Sequence, residues 1–305
     1  MHGHELFYLK IDKSIFPVAC VKSRIFGKRL ISLPFADYGG PCAQDESTAE
    51  RLILECLEKA QVLGVDFIEV RSPNNRYFEC LEKHGFMRRD DYLTFVIRLN
   101  RGAEAAWKQM THAKRTNVRK AQKSGVEIVE AANKSDLRAF YRIYLKTMKR
   151  LGSPPQSYRY FERIWDLFYP DFMRMPLARY AGEYIAGGLG FVHGDTIHLA
   201  YGCSLPEHFK IHPNELITWH SIESATERGL KCVDLGRSRQ GEGTTRFKKE
   251  WGSEPVIMPY FYKFYGKKLD ERQEVRYRWA SRLWSRFVPE FVASRLGPSI
   301  IKQIG

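Results

Sequence analysis

Residues 232–252 read CVDLGRSRQGEGTTRFKKEWG, and the rest of the chain can be read outward from this stretch. Cys232, Val233, Asp234 and Leu235 alternate in polarity over a length that suits a short buried strand. Gly236, Gly241 and Gly243 then let the backbone turn sharply and approach a ligand without side-chain obstruction. Thr244 or Thr245 can cap a short helix carrying Arg246, Lys248 and Lys249. Strand, glycine loop and cationic helix make a layout for holding an anion, because the first N–H groups of a helix add to the side-chain charges. The competing interpretation is a surface turn with solvated lysines. Neighbours on a helix lie about 100° apart, so Lys248 and Lys249 cannot both reach one small anion.

The segment leading into this stretch has a counterpart earlier in the chain. Runs at 177–182, 186–193 and 196–204 predict strands, and Pro213 suits the first turn of a helix that buries Leu216, Trp219, Ile222 and Ala225 before Gly229. Earlier, 6–12, 14–22 and 29–35 predict three strands, and Ser47 with Glu50 predicts a capping box. That helix places Leu52, Ile53, Cys56, Leu57, Ala60 and Leu63 on one side and stops at Gly64, followed by a strand at 65–71, a helix at 77–83 and a strand at 92–99. Glu50 precedes Gly64, and Glu215 precedes Gly229, by fourteen positions; Glu69 and Asp234 each follow their glycine by five. Arg71-Ser72 then answers Arg237-Ser238, and Phe78 answers Phe247. Helix, strand and loop in register imply two copies of one α/β unit with mixed sheets. Only the second copy has a front end, a strand at 126–131 and helices at 135–151 and 157–168, so the first is expected to lack its N-terminal strand and helices. The corresponding expectation is a chain that starts late, by roughly fifty residues. The predicted organisation is a partial first domain at 1–100, a basic linker helix at 101–124, a complete second domain at 125–265 and a basic amphipathic tail at 266–305.

The 305 residues suffice for two cores, and 44% apolar with 28% charged residues is a soluble globular composition. The net charge of +14 is local: residues 101–125 hold seven Lys/Arg against one Glu, and 266–305 hold nine against four acids. Phosphates, RNA or a lipid surface are the partners such patches imply. Lys108, His112, Arg115, Arg119 and Lys123 fall on one face if 103–124 is a single helix, opposite Ala106, Met110, Ala113 and Ala121. That face suits RNA or a donor's phosphates, or else is solvated. In the tail, Tyr277, Trp279, Ala280, Leu283, Trp284, Phe287 and Phe291 alternate with Arg276, Arg282, Arg286 and Arg295, and Pro289 divides the pattern into two short amphipathic segments. These could lie on an anionic inner leaflet or pack onto the second domain. The six cysteines show no C-x-x-C and read as buried free thiols. No run of 18 apolar residues occurs, so a cytoplasmic protein, peripheral at most to the inner membrane face, is expected, as a monomer. No metal site is expected, and no G-x-S-x-G elbow or Cys–His pairing announces a covalent nucleophile. A direct transfer needs none, only positioning and oxyanion stabilisation. Asp234 at the strand end is the candidate general base, with a core-satisfied carboxylate as the alternative, and Tyr201 the candidate proton donor or a buried strand aromatic. His193 and His198 flank a turn, and surface histidines so placed are usually incidental.

The run Arg115-Thr116-Asn117-Val118-Arg119-Lys120-Ala121, followed by Gly125-Val126, resembles the R-x-x-I-R-K-A…G-V run of the FemAB family. Arg246-Phe247-Lys248-Lys249 with Trp251-Gly252 is similar to its closing motif. Leu33-Pro34-Phe35, Tyr38-Gly39-Gly40-Pro41 and Leu296-Gly297-Pro298 resemble the FemAB-like proteins of exosortase/PEP-CTERM exopolysaccharide loci. The resemblance implies tandem GNAT-like acyltransferase domains that move an acyl or aminoacyl group onto an amine or hydroxyl of a cell-envelope precursor. It implies substrate contacts from Lys248, with Arg246 and Arg237 beside it, and an acceptor site shaped by Tyr38, Gly39 and Gly40. It implies no bound cofactor and a donor that is aminoacyl-tRNA, held by Lys108, Arg115, Arg119 and Lys123, or acyl-CoA. Acetyl-CoA enzymes of the GNAT type carry a Q/R-x-x-G-x-G/A loop after the fourth strand. Here residues 205–214 read LPEHFKIHPN, without a glycine. Ser238-Arg239-Gln240-Gly241-Glu242-Gly243 has the glycine spacing but follows the next strand. A CoA-dependent acyltransferase and a noncatalytic RNA- or phosphate-binding protein are the alternative readings.

Overall fold

In two places the chain passes through three antiparallel strands, a helix, and a strand that returns parallel to the third. The computed structural model describes all residues except 1, 25, 73–76, 242, 267–280 and 305. They form two compact units, one of residues 1–93, 257–280 and 299–305, the other of 94–256 and 281–298.

In the first unit, β1 (Glu5–Ile11), β2 (Ser14–Ser23) and β3 (Gly27–Ile31) pair antiparallel in turn. Helix α1 (Glu46–Leu63) leads to β4 (Phe67–Val70), which joins β3 in parallel, and then to α2 (Phe78–Lys83) and β5 (Met87–Arg98). The N-cap of α1 is Asp45, whose carboxylate accepts from the Thr48 N–H at 2.7 Å, so the predicted Ser47–Glu50 capping box does not form. Ser47 lies inside the first turn, and Lys83 and His84 each reach Glu50 Oε1 at 2.8 Å. Gly64 ends the helix in the left-handed conformation, which only glycine adopts at little cost. Ala49, Leu52, Ile53, Cys56 and Ala60 press onto Phe16, Leu30, Ile68 and Phe261. The position matching Asp234 holds a buried ion pair, Arg71 Nε to Glu69 Oε1 at 2.7 Å, and Arg71 also donates to the Ala36 carbonyl at 2.8 Å.

The second unit takes in α3 (Gly102–Gln109), α4 (His112–Lys123), β6 (Glu127–Glu130), α5 (Lys134–Leu151), α6 (Tyr158–Phe168) and the short β7 (Met173–Arg174). After these come β8 (Pro176–Tyr180), β9 (Glu183–His193), β10 (Thr196–Ser204), α7 (Pro213–Glu227), β11 (Cys232–Asp234), β12 (Ser238–Arg239) and α8 (Gly243–Lys249). Thr244 and Thr245 fall within α8 and do not precede it; Thr245 donates its hydroxyl to the Arg239 carbonyl at 3.1 Å. Strands β6, β8, β9 and β10 pair antiparallel in that order, and β11 joins β10 in parallel. The last strand, β13 (Glu254–Phe264), pairs through Phe261–Phe264 with β4, while β5 pairs through Val96–Arg98 with β11. The strand that closes each copy of the repeat therefore completes the other unit's sheet. Gly187 lets Phe140 approach β9: a Cβ there would lie 2.7 Å from the Phe140 ring and 2.9 Å from Leu177.

The predicted single basic helix is two helices. Met110 turns extended, and Thr111 caps α4 by accepting from the Lys114 N–H at 3.3 Å while its own N–H donates to the Glu250 carbonyl at 3.0 Å. The break rotates Lys108 out of the stripe formed by Arg115, Arg119 and Lys123. Of the cysteines, four are buried, Cys232 is half-buried and Cys42 is exposed, and all are free thiols. The tail calls at Arg276, Tyr277, Trp279 and Ala280 lie outside the described residues. Residues 281–287 and Glu290–Ile304 are helical, with Leu283, Phe287 and Phe291 exposed and not packed onto the unit.

Arg71→Ala strips the partner from the buried Glu69 carboxylate and is expected to lower the unfolding free energy by about 3–5 kcal/mol. Arg88→Ala, which removes the half-exposed pair with Asp90, should cost about 0–1 kcal/mol. Urea denaturation of the two variants reads the contrast.

Candidate functional site

Strand β11 stops at Asp234, whose carboxylate is 4% exposed and fully engaged. Oδ1 accepts from the Thr94 hydroxyl in a short contact and from the Gly236 N–H at 2.8 Å, and Oδ2 lies 2.9 Å from His198 Nδ1. Gly236 makes its bond from a positive φ of 75°, which explains the glycine directly after the strand. The Nδ1 of His198 is the ring atom turned to this carboxylate, and an Nδ1–H donated there makes Nε2 the ring's acceptor nitrogen. Asp234 is buried and in contact with His198, a residue that sequence reasoning set aside because nothing local marks it. The signal is the parallel register, which sets His198 opposite Asp234.

Pairing between β10 and β11 covers Thr196–His198, after which β10 runs on to Ser204 while β11 has ended. Beyond that point a β-bulge changes the parity of β10: Leu199 faces Gly190 and Tyr201 faces Leu189, with Ala200 the extra residue. His198 and Tyr201 pair with Phe191 and Leu189, two positions apart, so they share one face of the sheet. Regular alternation would have put them on opposite faces. Tyr201 is half-buried, its hydroxyl 3.0 Å from that of Tyr160, with Phe161 and Tyr144 against its ring. Burial raises the Tyr160 hydroxyl pKa, which keeps this partner protonated.

Lys248 closes the loop beyond Asp234. Its ammonium donates to the carbonyls of Gly236 at 2.8 Å and Arg237 at 2.9 Å and sits 5.8 Å from the Phe95 ring centroid. The Arg237 side chain is exposed, as is Arg246, which pairs with Glu250 at 3.3 Å. The structure therefore joins Asp234, His198 and Lys248 around the loop and leaves Arg237 and Arg246 on the surface. Tyr38, Gly39 and Gly40 belong to the first unit, where the Gly39 N–H donates to the Arg71 carbonyl at 2.7 Å and Tyr38 packs among Phe67, Tyr260 and Tyr262. In that unit Ile31 faces Glu69 at the register where His198 faces Asp234, so a hydrocarbon replaces the imidazole.

The residues expected to hold a nucleic-acid donor have local partners. Lys108 pairs with Glu104 at 2.7 Å, Arg115 donates to the carbonyls of Met110 and Lys108, and Arg119 lies 5.3 Å over the Trp107 ring. Lys123 is exposed. Sequence reasoning missed Lys114, which is 3% exposed. Its ammonium is 3.2 Å from Glu215, 3.6 Å from Glu250 and 3.6 Å from the Phe247 ring centroid. The missed signal was spacing, since Lys114 lies one turn before Val118 on the buried stripe of α4.

A cavity of about 180 Å³ opens at the start of α7, lined by Phe209, His212, Pro213, Asn214, Glu215 and Phe247. In an acyl-CoA enzyme a helix start of this kind holds the pyrophosphate. Here Pro213 has no N–H, the Asn214 side-chain amide is turned to the Ser204 hydroxyl at 2.9 Å, and Glu215 places a carboxylate in the first turn. Lys114 neutralises that carboxylate, not a ligand. These residues do not fit a pyrophosphate. Among the described residues one group of potential metal ligands converges, Glu50, Cys80 and His84, whose ligating atoms lie within 4.8 Å of one another. Lys83 places its ammonium on the same Glu50 oxygen, where a cation would have to displace it.

The sequence pattern of the family described as Acetyltransferase (GNAT) domain matches residues 108–249. The matched stretch, a little under half of the chain, is similar to a GNAT domain. It spans α4 through α8 and so includes the His198–Asp234 pair, Tyr201 and Lys248. No curated protein matches the chain by sequence. The fold is shared with FemX, at 15% identity over 92% of this chain and 91% of that one, TM-score 0.65. It is shared with L-PGS from Bacillus licheniformis, at 12% identity over 93% and 89%, TM-score 0.63. A tandem GNAT protein from the clavulanic acid biosynthesis pathway follows the chain at 9% identity over 84% and 80%, TM-score 0.55. The fold is that of tandem GNAT proteins.

Lys248→Ala removes the donor to two loop carbonyls and is expected to lower the unfolding free energy by about 1–3 kcal/mol. Lys249→Ala, at an exposed position of the same helix, should change it by under about 0.5 kcal/mol. Chemical denaturation of both variants separates a loop-holding lysine from a solvated one.

Proposed function

We propose that the chain is a FemAB-type transferase that moves an aminoacyl or acyl group from an activated ester to an amine or hydroxyl of a cell-envelope or exopolysaccharide precursor. The observation that carries this reading is the His198–Asp234 pair beside the point where β10 and β11 part. The acceptor gives its proton to His198 Nε2 as it attacks the donor carbonyl, and the carbonyl π electrons move to oxygen. Collapse of that tetrahedral species expels the donor's oxygen, which takes the proton back from the imidazolium, with the Tyr201 hydroxyl on the same face as the relay. Lys248 contributes by fixing the loop that follows Asp234. The poor fit of the α7 start to a pyrophosphate supports aminoacyl-tRNA over acyl-CoA as donor, as does the fold shared with FemX.

An acyl-CoA-dependent enzyme is the second reading, supported by the GNAT family match itself. Transfer assays with aminoacyl-tRNA and with acyl-CoA distinguish the two by which donor is consumed. His198→Gln is expected to lower kcat by about 10²–10⁴-fold with the fold intact by circular dichroism. A His198→Gln enzyme with wild-type kcat would remove the base from the mechanism. Retained tRNA binding with no transfer to any acceptor would favour the noncatalytic alternative.

A further inference from the structure

We propose that the outward face of the C-terminal helical segments docks on an anionic lipid surface, independently of the chemistry assigned to His198. Within the second unit these segments show which side is packed. A Cβ on Gly297 would lie 2.3 Å from Pro155, and Ala293, one turn earlier, is 2% exposed, so this stripe of the terminal helix faces inward. Phe291 and Arg295 lie roughly 160–200° around the helix from that stripe, pointing away. In the preceding helical stretch Ser281 approaches Gly152, whose Cβ would lie 2.3 Å from the Ser281 carbonyl oxygen. That contact orients Ser281, Trp284, Ser285 and Val288 inward and Arg282, Leu283, Arg286 and Phe287 outward.

The burial agrees: Phe287 is 68% exposed, Phe291 67%, Leu283 54% and Leu296 52%. Two exposed phenylalanines and two leucines beside three arginines are a pattern for the interface of a bilayer, where rings enter the headgroup boundary and guanidinium groups reach phosphates. Charge selects lipid over a protein partner or a second copy. Among the described residues 281–304 the only acid is Glu290, against Arg282, Arg286, Arg295 and Lys302. Another exposed apolar group in this unit, Leu167, Phe168 and Phe172, is bracketed by Asp166 and Asp171 and lacks that complementarity. No helix among the described residues is long and apolar enough to cross a membrane, so the association is at the surface.

The test is cosedimentation of the full chain with vesicles of phosphatidylcholine alone and with about one-third phosphatidylglycerol, near physiological salt. Binding to the anionic vesicles should exceed binding to the neutral ones by at least about tenfold. Phe287→Asp/Phe291→Asp and Arg282→Glu/Arg286→Glu should each lower it by about tenfold or more, with unchanged thermal melting because these side chains are exposed. Leu167→Asp should bind like the wild type. Wild-type binding by the Phe287→Asp/Phe291→Asp variant overturns the proposal. So does loss in the arginine variant alone, which would reduce the effect to attraction by the chain's overall +14 charge. Equal loss with Leu167→Asp would also overturn it, by removing the specificity for this face.

Discussion

The carboxylate of Asp234 is the interaction on which the second unit's site depends. It is buried, and it is satisfied by donors from three separate pieces of chain: the Thr94 hydroxyl on β5, the Gly236 N–H on the loop and His198 on β10. An ionised group taken out of water is tolerated only with such partners, so each of those pieces has little freedom relative to the others. The glycine after the strand, the parallel register of β10 and β11, and the pairing of β5 on the other side of β11 all serve the same oxygen pair. Orientation of the histidine is the chemical result.

The two units share this construction and differ in what they do with it. In the first, Glu69 takes the Asp234 position, but Arg71 neutralises it and Ile31 occupies the register of the histidine. That arrangement is a buried ion pair with hydrocarbon at the histidine's register. In the second, an imidazole stands where the first has hydrocarbon, and it meets the carboxylate directly. The strand that ends each copy of the repeat pairs with the parallel strand of the other copy, β5 with β11 and β13 with β4.

Several cations of this chain are engaged by its own groups. Arg115 ties the carbonyls at the end of α3, Arg119 covers Trp107, Lys248 holds a loop, and Lys114 is buried against Glu215 and Phe247. A count of lysines and arginines registers all of these as available to a polyanion. The arginines at the C-terminal end are different, because the helices that carry them are packed on their other side by a glycine and an alanine.

The sequence by itself determined the repeat, the order of strands and helices, the glycine stops and the apolar stripes. These are local properties: period, cap and turn chemistry act over a few residues, and 232–252 contains all of them. It also singled out Asp234, Tyr201 and Lys248, since a polar residue at a strand end or in a glycine loop is conspicuous in one dimension. The α1 cap was misread because two adjacent candidates, Asp45 and Ser47, carry the same local signal. Only the tertiary structure decided that residues 103–124 break at Met110-Thr111, where the backbone of Thr111 bonds to Glu250 far along the chain. It also brought His198 to Asp234, because the bond joins strands 36 residues apart whose register no short-range pattern records. A bulge at Ala200 then placed His198 and Tyr201 on one face, reversing what alternation implies. Long-range hydrogen bonds fix such relations, and they are set by which strands meet, not by the residues next in line.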